Sequence, residues 1–538
     1  MDEFDYIVIG AGSAGCVLAN RLTASGEHRV LLLEAGGPDS SPWIRVPIGY
    51  GRTYNDPSVN WMYTAAPDPG LEGRAAYWPR GKVLGGSSAI NAMVYLRGQP
   101  GDFDDWAAAG NHGWSWAEVL PYFRKAEDHD FGASAYHGAG GPLHVSDVSD
   151  QVHPLCHSFI AACASQGIRY TPDFNGESSE GAGLWQMTIR RGVRVSTASA
   201  YLKPARSRTN LRVLTRALVT GIRFEGHAAS AVEFLEAGAK RLVRARREVI
   251  LAAGAVNSPQ LLQLSGVGDG ALLSRLGIPV TRHAPSVGVG LQDHVAVSYY
   301  YRSRVPTLND VLYPFVGKVR AALQYALRRR GPLAMSVNQA GAFVRSRPGL
   351  VRPNLQLYFN PLSYTATTGA KRRLMNPDPY SAFLLSFNTC RPTSRGSIAI
   401  TTPDPEAAPR ILPNSLATAE DVADVKDGAA LLRRLAAAEP LASAILEELQ
   451  PGRACRTDEE VLADFRARAA TVFHACCTCA MGTNPDTSVV DPTLRVHGLE
   501  RLRVVDASVF PSVTSGNTNA PTIMVAEKAA DLILAAAT

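Results

Sequence analysis

Residues 4–20 read FDYIVIGAGSAGCVLAN. The apolar run from Tyr6 to Ile9 predicts a strand buried on both faces, and it breaks at Gly10, Gly12 and Gly15, in G-x-G-x-x-G spacing, before a helical pattern resumes over residues 14–22. Gly10 permits the tight turn. Gly12 leaves room for a pyrophosphate against bare backbone, Gly15 lets the helix pack closely on the strand, and the phosphates face the helix N-terminus. A second apolar strand over residues 29–33 ends in Glu34, about 20 residues on, where an acid binds ribose hydroxyls. Strand, turn, helix, strand and terminal acid in register predict a dinucleotide ligand; a glycine turn holding nothing is the bland alternative.

At 538 residues the chain is too long for one compact core, so two or more domains are expected. With 46% hydrophobic and 19% charged residues it reads as soluble and globular. The net charge of +6 comes with no long basic stripe, which argues against nucleic acid as a partner. No uninterrupted apolar run reaches the roughly 20 residues that a spanning helix needs, and no secretion signal precedes the first strand. The cytoplasm is the default compartment. Eight cysteines, thinly spread apart from Cys476, Cys477 and Cys479, suit free thiols.

Working outward, residues 38–80 read as an extended segment bearing Trp43, Tyr50, Trp61 and Tyr63. A block dense in Gly, Ser and Ala follows at residues 85–89, where backbone can approach a flat ligand. Residues 102–127 predict one helix, and residues 151–167 another, whose His153, Cys156 and His157 lack the further ligands a zinc site needs. Residues 247–254 predict a buried strand, and Ser258-Pro259 a helix start. From residue 295 to 402 the pattern turns to β-rich alternation, interrupted by a helix over residues 315–330. Its Lys318, Arg320 and Arg328 to Arg330 are expected on a solvated face, with an acidic membrane surface as the less favoured reading. Helices are predicted over residues 419–449 and 457–469, the latter opened by a Thr457-x-x-Glu460 capping box.

Four blocks in order now carry a resemblance: GAGSAG with Glu34, RGKVLGGSSAINAMVYLRG at residues 80–98, ILAAGAVNSPQLLQLSGVG at residues 250–268, and LRVVDASVFPSVTSGNTNAPTIMVAEKAADLI at residues 502–533. Together they resemble a glucose-methanol-choline (GMC) flavoprotein oxidoreductase of the choline-dehydrogenase-like bacterial branch. The resemblance implies an α/β fold. It has a Rossmann-like FAD-binding domain assembled from residues 1–294 and 461–538, and a mainly antiparallel α+β substrate domain over residues 295–460. FAD is the implied cofactor. Its expected contacts are Gly10, Gly12, Ser13, Ala14, Gly15, Glu34 and Ala35 in the first unit; Val83, Asn91, Ala92, Met93 and Val94 in the second block; Val219 and Ala253; and Asp506, Ala507, Thr518 and Asn519 near the end. Ile90 stands where some relatives carry a flavin-linking His, so dissociable FAD is expected.

The family's H-x-x-G-T-x-x-M-G pattern falls on His474, Thr478, Met481 and Gly482, with Cys477 in place of the usual Gly, so the local turn is expected to differ. The family's second active-site position falls on Asn517. Making a carbonyl from an alcohol requires loss of the hydroxyl proton as hydride leaves carbon for flavin N5; neutral imidazole suits that task, and an amide can bind the same oxygen. The expected activity is oxidation of a primary alcohol to an aldehyde, with molecular oxygen or a quinone or other acceptor taking the electrons. An FAD-containing lyase, as among hydroxynitrile lyases, is the alternative. No metal is expected: the Cys476, Cys477, Cys479 spacing does not match a zinc site and reads as small packed residues. Substrate-pocket side chains are expected from residues 295–400 and 50–63.

Overall fold

The computed structural model describes residues 2–364 and 376–536. Glu3–Ile9 and Val30–Glu34 lie parallel, Tyr6 opposite Val30 through to Ile9 opposite Leu33, and all of Val30–Glu34 is buried. Between them runs the helix Ser13–Leu22. Gly10 sits at φ +99°, and a Cβ there would lie 2.5 Å from the Ala252 carbonyl oxygen; one on Gly15 would lie 1.8 Å from that of Gly10. Only glycine fits either position.

The sheet continues in the order Leu211–Thr215, Val30–Glu34, Glu3–Ile9, Ala239–Leu251, Ala228–Glu236, Ala217–Glu225. Its first four strands are parallel, and the last two form an antiparallel meander with Ala239–Leu251. Leu502–Val504, from near the C-terminus, pairs in parallel with residues 249–251. The C-terminal helix Asn519–Ala535 packs on Ser13–Leu22, where Glu527, fully buried, takes Arg21 Nε and Nη2 at 2.8 and 2.7 Å and the Tyr201 hydroxyl at 2.8 Å. Both ends of the chain therefore build one nucleotide-type layer.

A second sheet is antiparallel throughout, in the order Ile445–Gln450, Val295–Ser303, Ala382–Thr389, Leu355–Asn360, Ala340–Val344, Gly181–Leu184. Segments outside residues 295–460 complete it. Gly181–Leu184 is its edge strand, and its core takes Leu155, Phe159 and Cys163 from one helix and Phe465 from another.

Several local expectations are corrected. Residues 102–127 form two helices, Pro100–Ala108 and Trp116–Ala126, because Gly110 and Gly113 take φ of +95° and +91° and Ser115 with Glu118 starts the second by a capping box. The helix expected over residues 419–449 ends at Ala436, and Ile445–Gln450 pairs as an edge strand despite its helix-forming Leu-Glu-Glu-Leu, an override of propensity by sheet pairing. Gly396–Ala399 belongs to a separate three-stranded sheet. Pro259 does not start its helix but sits inside Gly254–Leu264; it has no N–H for the Ala255 carbonyl, which instead accepts the Thr478 hydroxyl at 2.7 Å.

A buried ion network ties the Arg97 segment to Glu127–His129. Arg97 Nη2 reaches both Glu127 oxygens at 2.7 Å, His137 Nδ1 lies 3.1 Å from Glu127 Oε2, and His137 Nε2 lies 2.8 Å from Asp173. Glu127, His129 and His137 could offer ligand atoms to one metal ion. The carboxylate, however, already neutralises Arg97, and His129 Nδ1 accepts the Phe131 N–H at 3.1 Å. Burial opposes charge on His137, yet Asp173 and Glu127 hold its pKa up to about 9. A folded-state pKa above the unfolded value of about 6.5 stabilises fully below pH 6.5 and fades as pH rises through 9. The stability difference between wild type and His137→Gln should therefore be flat below pH 6.5 and shrink from there towards pH 9, read as melting temperature; a difference that grows with pH would contradict the charge assignment.

Candidate active site

One cavity of about 340 Å³ runs from the Gly10–Gly12 turn to His474 and Asn517. Gly10, Gly12, Ser13, Ala14, Glu34, Ala35, Asn91, Ala92, Met93, Val94, Val219, Ala253, Asp506, Ala507, Thr518 and Asn519 all border it. Gly15 and Val83 do not. Gly15 lies beneath the turn against Gly10, and Val83 is buried among Ile44, Val59, Ala89 and Ile90.

The nucleotide end fits a dinucleotide. A Cβ on Gly12 would meet nothing nearer than the Gly86 Cα at 4.0 Å, and one on Gly86 would lie 2.7 Å from the Gly12 Cα, so two bare backbones meet beside the helix N-terminus. Glu34 accepts the Ala11 and Gly36 N–H groups, each at 2.8 Å, and its remaining lone pairs stay available to ribose hydroxyls. Burial pushes its pKa up to about 7 against those two bonds.

At the other end His474 and Asn517, separated by 43 positions, converge: Asn517 Nδ2 lies 3.0 Å from His474 Nε2, and Asn517 Oδ1 is buried with no partner. Behind the ring stands His294, whose Nδ1 is 2.9 Å from His474 Nδ1 and whose Nε2 is 2.9 Å from the Cys390 carbonyl. A carbonyl only accepts, so His294 Nε2 carries a proton; its Nδ1 then accepts from His474 Nδ1–H. His474 Nε2 is then unprotonated and accepts from the Asn517 amide. Burial lowers the His294 pKa to about 4, which keeps that acceptor neutral. Burial first, then His294 and Arg80, holds His474 well below the usual imidazole range.

The His474 backbone is pinned by Asp293, whose Oδ1 accepts its N–H at 2.7 Å and whose other oxygen takes the Thr471 hydroxyl. Phe473 and Cys477, on either side, sit at φ +72° and +71°. Cys477 thus adopts a backbone conformation that favours glycine. The Cys476, Cys477 and Cys479 side chains are all buried in the core. Arg80 enters the cavity wall, donating from Nη1 to the Phe473 carbonyl at 2.8 Å, while its Nε and Nη2 are buried without a partner. His294, Asp293 and Arg80 were not singled out from the sequence. Each lies far along the chain from His474, and no spacing rule joins them.

Most of the chain matches known proteins. Residues 4–296 and 392–526 match the two family models described as GMC oxidoreductase. Mouse mitochondrial choline dehydrogenase is 45% identical over 99% of this chain and 89% of its own length, and an alcohol dehydrogenase [acceptor] of Pseudomonas putida is 42% identical over 99% and 96%. Among solved structures, pyridoxine 4-oxidase from Mesorbium loti superposes with a TM-score of 0.89 at 33% identity, covering 98% of each chain. An FAD-dependent oxidoreductase from Chaetomium thermophilum gives 0.89 at 26%, covering 99% of each. With its fold, its glycine-lined cavity and these matches taken together, the chain belongs to the GMC oxidoreductase family.

Proposed function

We propose that the chain oxidises a primary alcohol to an aldehyde with FAD, His474 accepting the hydroxyl proton and Asn517 binding the alcohol oxygen. The observation that carries this reading is the His294–His474–Asn517 alignment on the cavity, in which an unprotonated Nε2 accepts from the Asn517 amide, a bond that a substrate hydroxyl would replace. FAD, when bound by the glycine turn, Glu34 and the second-block backbone, supplies the two-electron acceptor for the carbinol hydrogen. His474 Nε2 takes the O–H proton while the Asn517 amide steadies the oxygen as charge develops on it. His294 acts by holding the ring's tautomer, as a positioning residue.

The wall beyond His474 favours a neutral substrate. It presents Ser298, Asn338, Asn360 and Ser386 with Tyr364, and the cation Arg80. Among the described residues, the carboxylates on the cavity are Glu34 and Asp506, both engaged at the nucleotide end: Asp506 takes the Gly254 and Ser508 N–H groups at 2.9 and 2.8 Å. Residues 365–375 of the expected pocket range lie outside the described residues. A quaternary ammonium would meet the Arg80 guanidinium on the cavity wall, while the nearby Asp293 carboxylate does not border the cavity.

Two outcomes follow. With the base form of His474 favoured, kcat/KM should hold its plateau below pH 6.5, and its acid limb should lie lower still. His294→Leu should lower kcat/KM by about 10- to 100-fold and shift that limb, with FAD retained; an unmoved limb would remove His294 from the mechanism. Across a panel of substrates, neutral primary alcohols should exceed choline in kcat/KM by about tenfold or more. Choline as the best substrate would overturn the neutral assignment while leaving the oxidoreductase reading intact.

A further inference from the structure

The helix Phe315–Arg328 is amphipathic in the unusual sense, with its apolar side outward. Ala321 and Tyr325 are buried, and the Tyr325 hydroxyl donates to the Gly192 carbonyl at 2.9 Å, so this side faces the protein. On the opposite side Phe315 is 80% exposed, Val316 76%, Val319 42%, Leu323 58% and Leu327 82%. At about 100° per residue these five fall within one arc of about 120°, with Arg320 at one edge and Lys318 beyond the other. The basic side chains are solvated as expected from the sequence, but the face between them is not polar.

The helix and the turn after it carry Lys318, Arg320, Arg328, Arg329 and Arg330 and no Asp or Glu; of these, Arg330 pairs with Asp150. An apolar arc bordered by cations matches the boundary of an anionic lipid bilayer, with Phe, Val and Leu among the acyl chains and Lys and Arg at the phosphates. A second copy of the chain is a poorer match, because the same face on a partner would bring Lys318 and Arg320 against like charges.

We propose that Phe315–Arg328 is a docking helix that lies in the plane of an anionic membrane surface. This does not rest on the alcohol reading. It does bear on access: Ala321 packs in one cluster with Ile48, Tyr50, Met335 and Val337, and Tyr50 and Val337 border the cavity. Docking would bring that side of the cavity to the bilayer, where an apolar alcohol or a lipid-dissolved electron acceptor resides.

The test uses the FAD-loaded protein and sedimentation with vesicles of phosphatidylcholine alone or mixed with phosphatidylglycerol. The wild type should partition to the mixed vesicles, less so as salt rises. The double variant Leu323→Glu/Leu327→Glu should lose about tenfold or more of that partitioning, and Arg320→Glu, with the apolar arc intact, should also weaken it. Both variants should keep the flavin spectrum and wild-type turnover of a water-soluble substrate, since none of these side chains borders the cavity. Wild type that stays in solution with both vesicle types would overturn the proposal, as would equal partitioning of the double variant. So would a dimer that Leu323→Glu/Leu327→Glu dissociates, which would assign the face to a second copy.

Discussion

Bare backbone in contact with bare backbone is the constraint around which this molecule closes. Gly10 lies against Ala252, Gly15 against Gly10, and Gly12 against Gly86, at separations where any Cβ on Gly10, Gly15 or Gly86 would overlap a main-chain atom. Three segments distant in sequence thereby share one turn: the first strand with its helix, the glycine-rich block, and the end of Ala239–Leu251. The open side of that contact is the nucleotide end of the cavity. Glu527 and Leu502–Val504 then draw the C-terminal segment into the same layer, and that segment carries Asn517 beside His474.

The second sheet completes the site from the other side. His294 immediately precedes Val295–Ser303, and Ala470–Thr471 pairs with the start of that strand shortly before His474. One pairing therefore sets the spacing between the two imidazoles, and the Cys390 carbonyl just after Ala382–Thr389 sets the tautomer of both. The His294–His474 pair is thus positioned by the antiparallel sheet, while the glycine turn at the other end of the cavity belongs to the parallel one.

What was legible in the sequence was local or was carried by a motif. The first strand, its glycine turn and Glu34 follow from period and spacing over about 30 residues. His474 and Asn517 came from the resemblance, and the structure brings them together. Pairings that depend on distant chain were not legible. Ile445–Gln450 reads as helix by propensity and becomes a strand because Val295–Ser303 offers an edge. Gly181–Leu184 carries no strand signal beyond small residues. His294 is one histidine among 12 until the fold sets it 2.9 Å from His474. The helix over residues 315–330 was found from its pattern, but which side faces the protein was decided by Ala321 and Tyr325.

The most direct measurement is anaerobic mixing of the FAD-loaded protein with a neutral primary alcohol, following the oxidised-flavin absorbance in wild type and in His474→Ala. Wild type should bleach rapidly, with aldehyde formed in equal amount. Bleaching should be slowed by about 100-fold or more in the variant, which should retain its flavin. Equal bleaching in both proteins would contradict His474 as the proton acceptor, and no bleaching by any alcohol in the wild type would contradict alcohol oxidation itself.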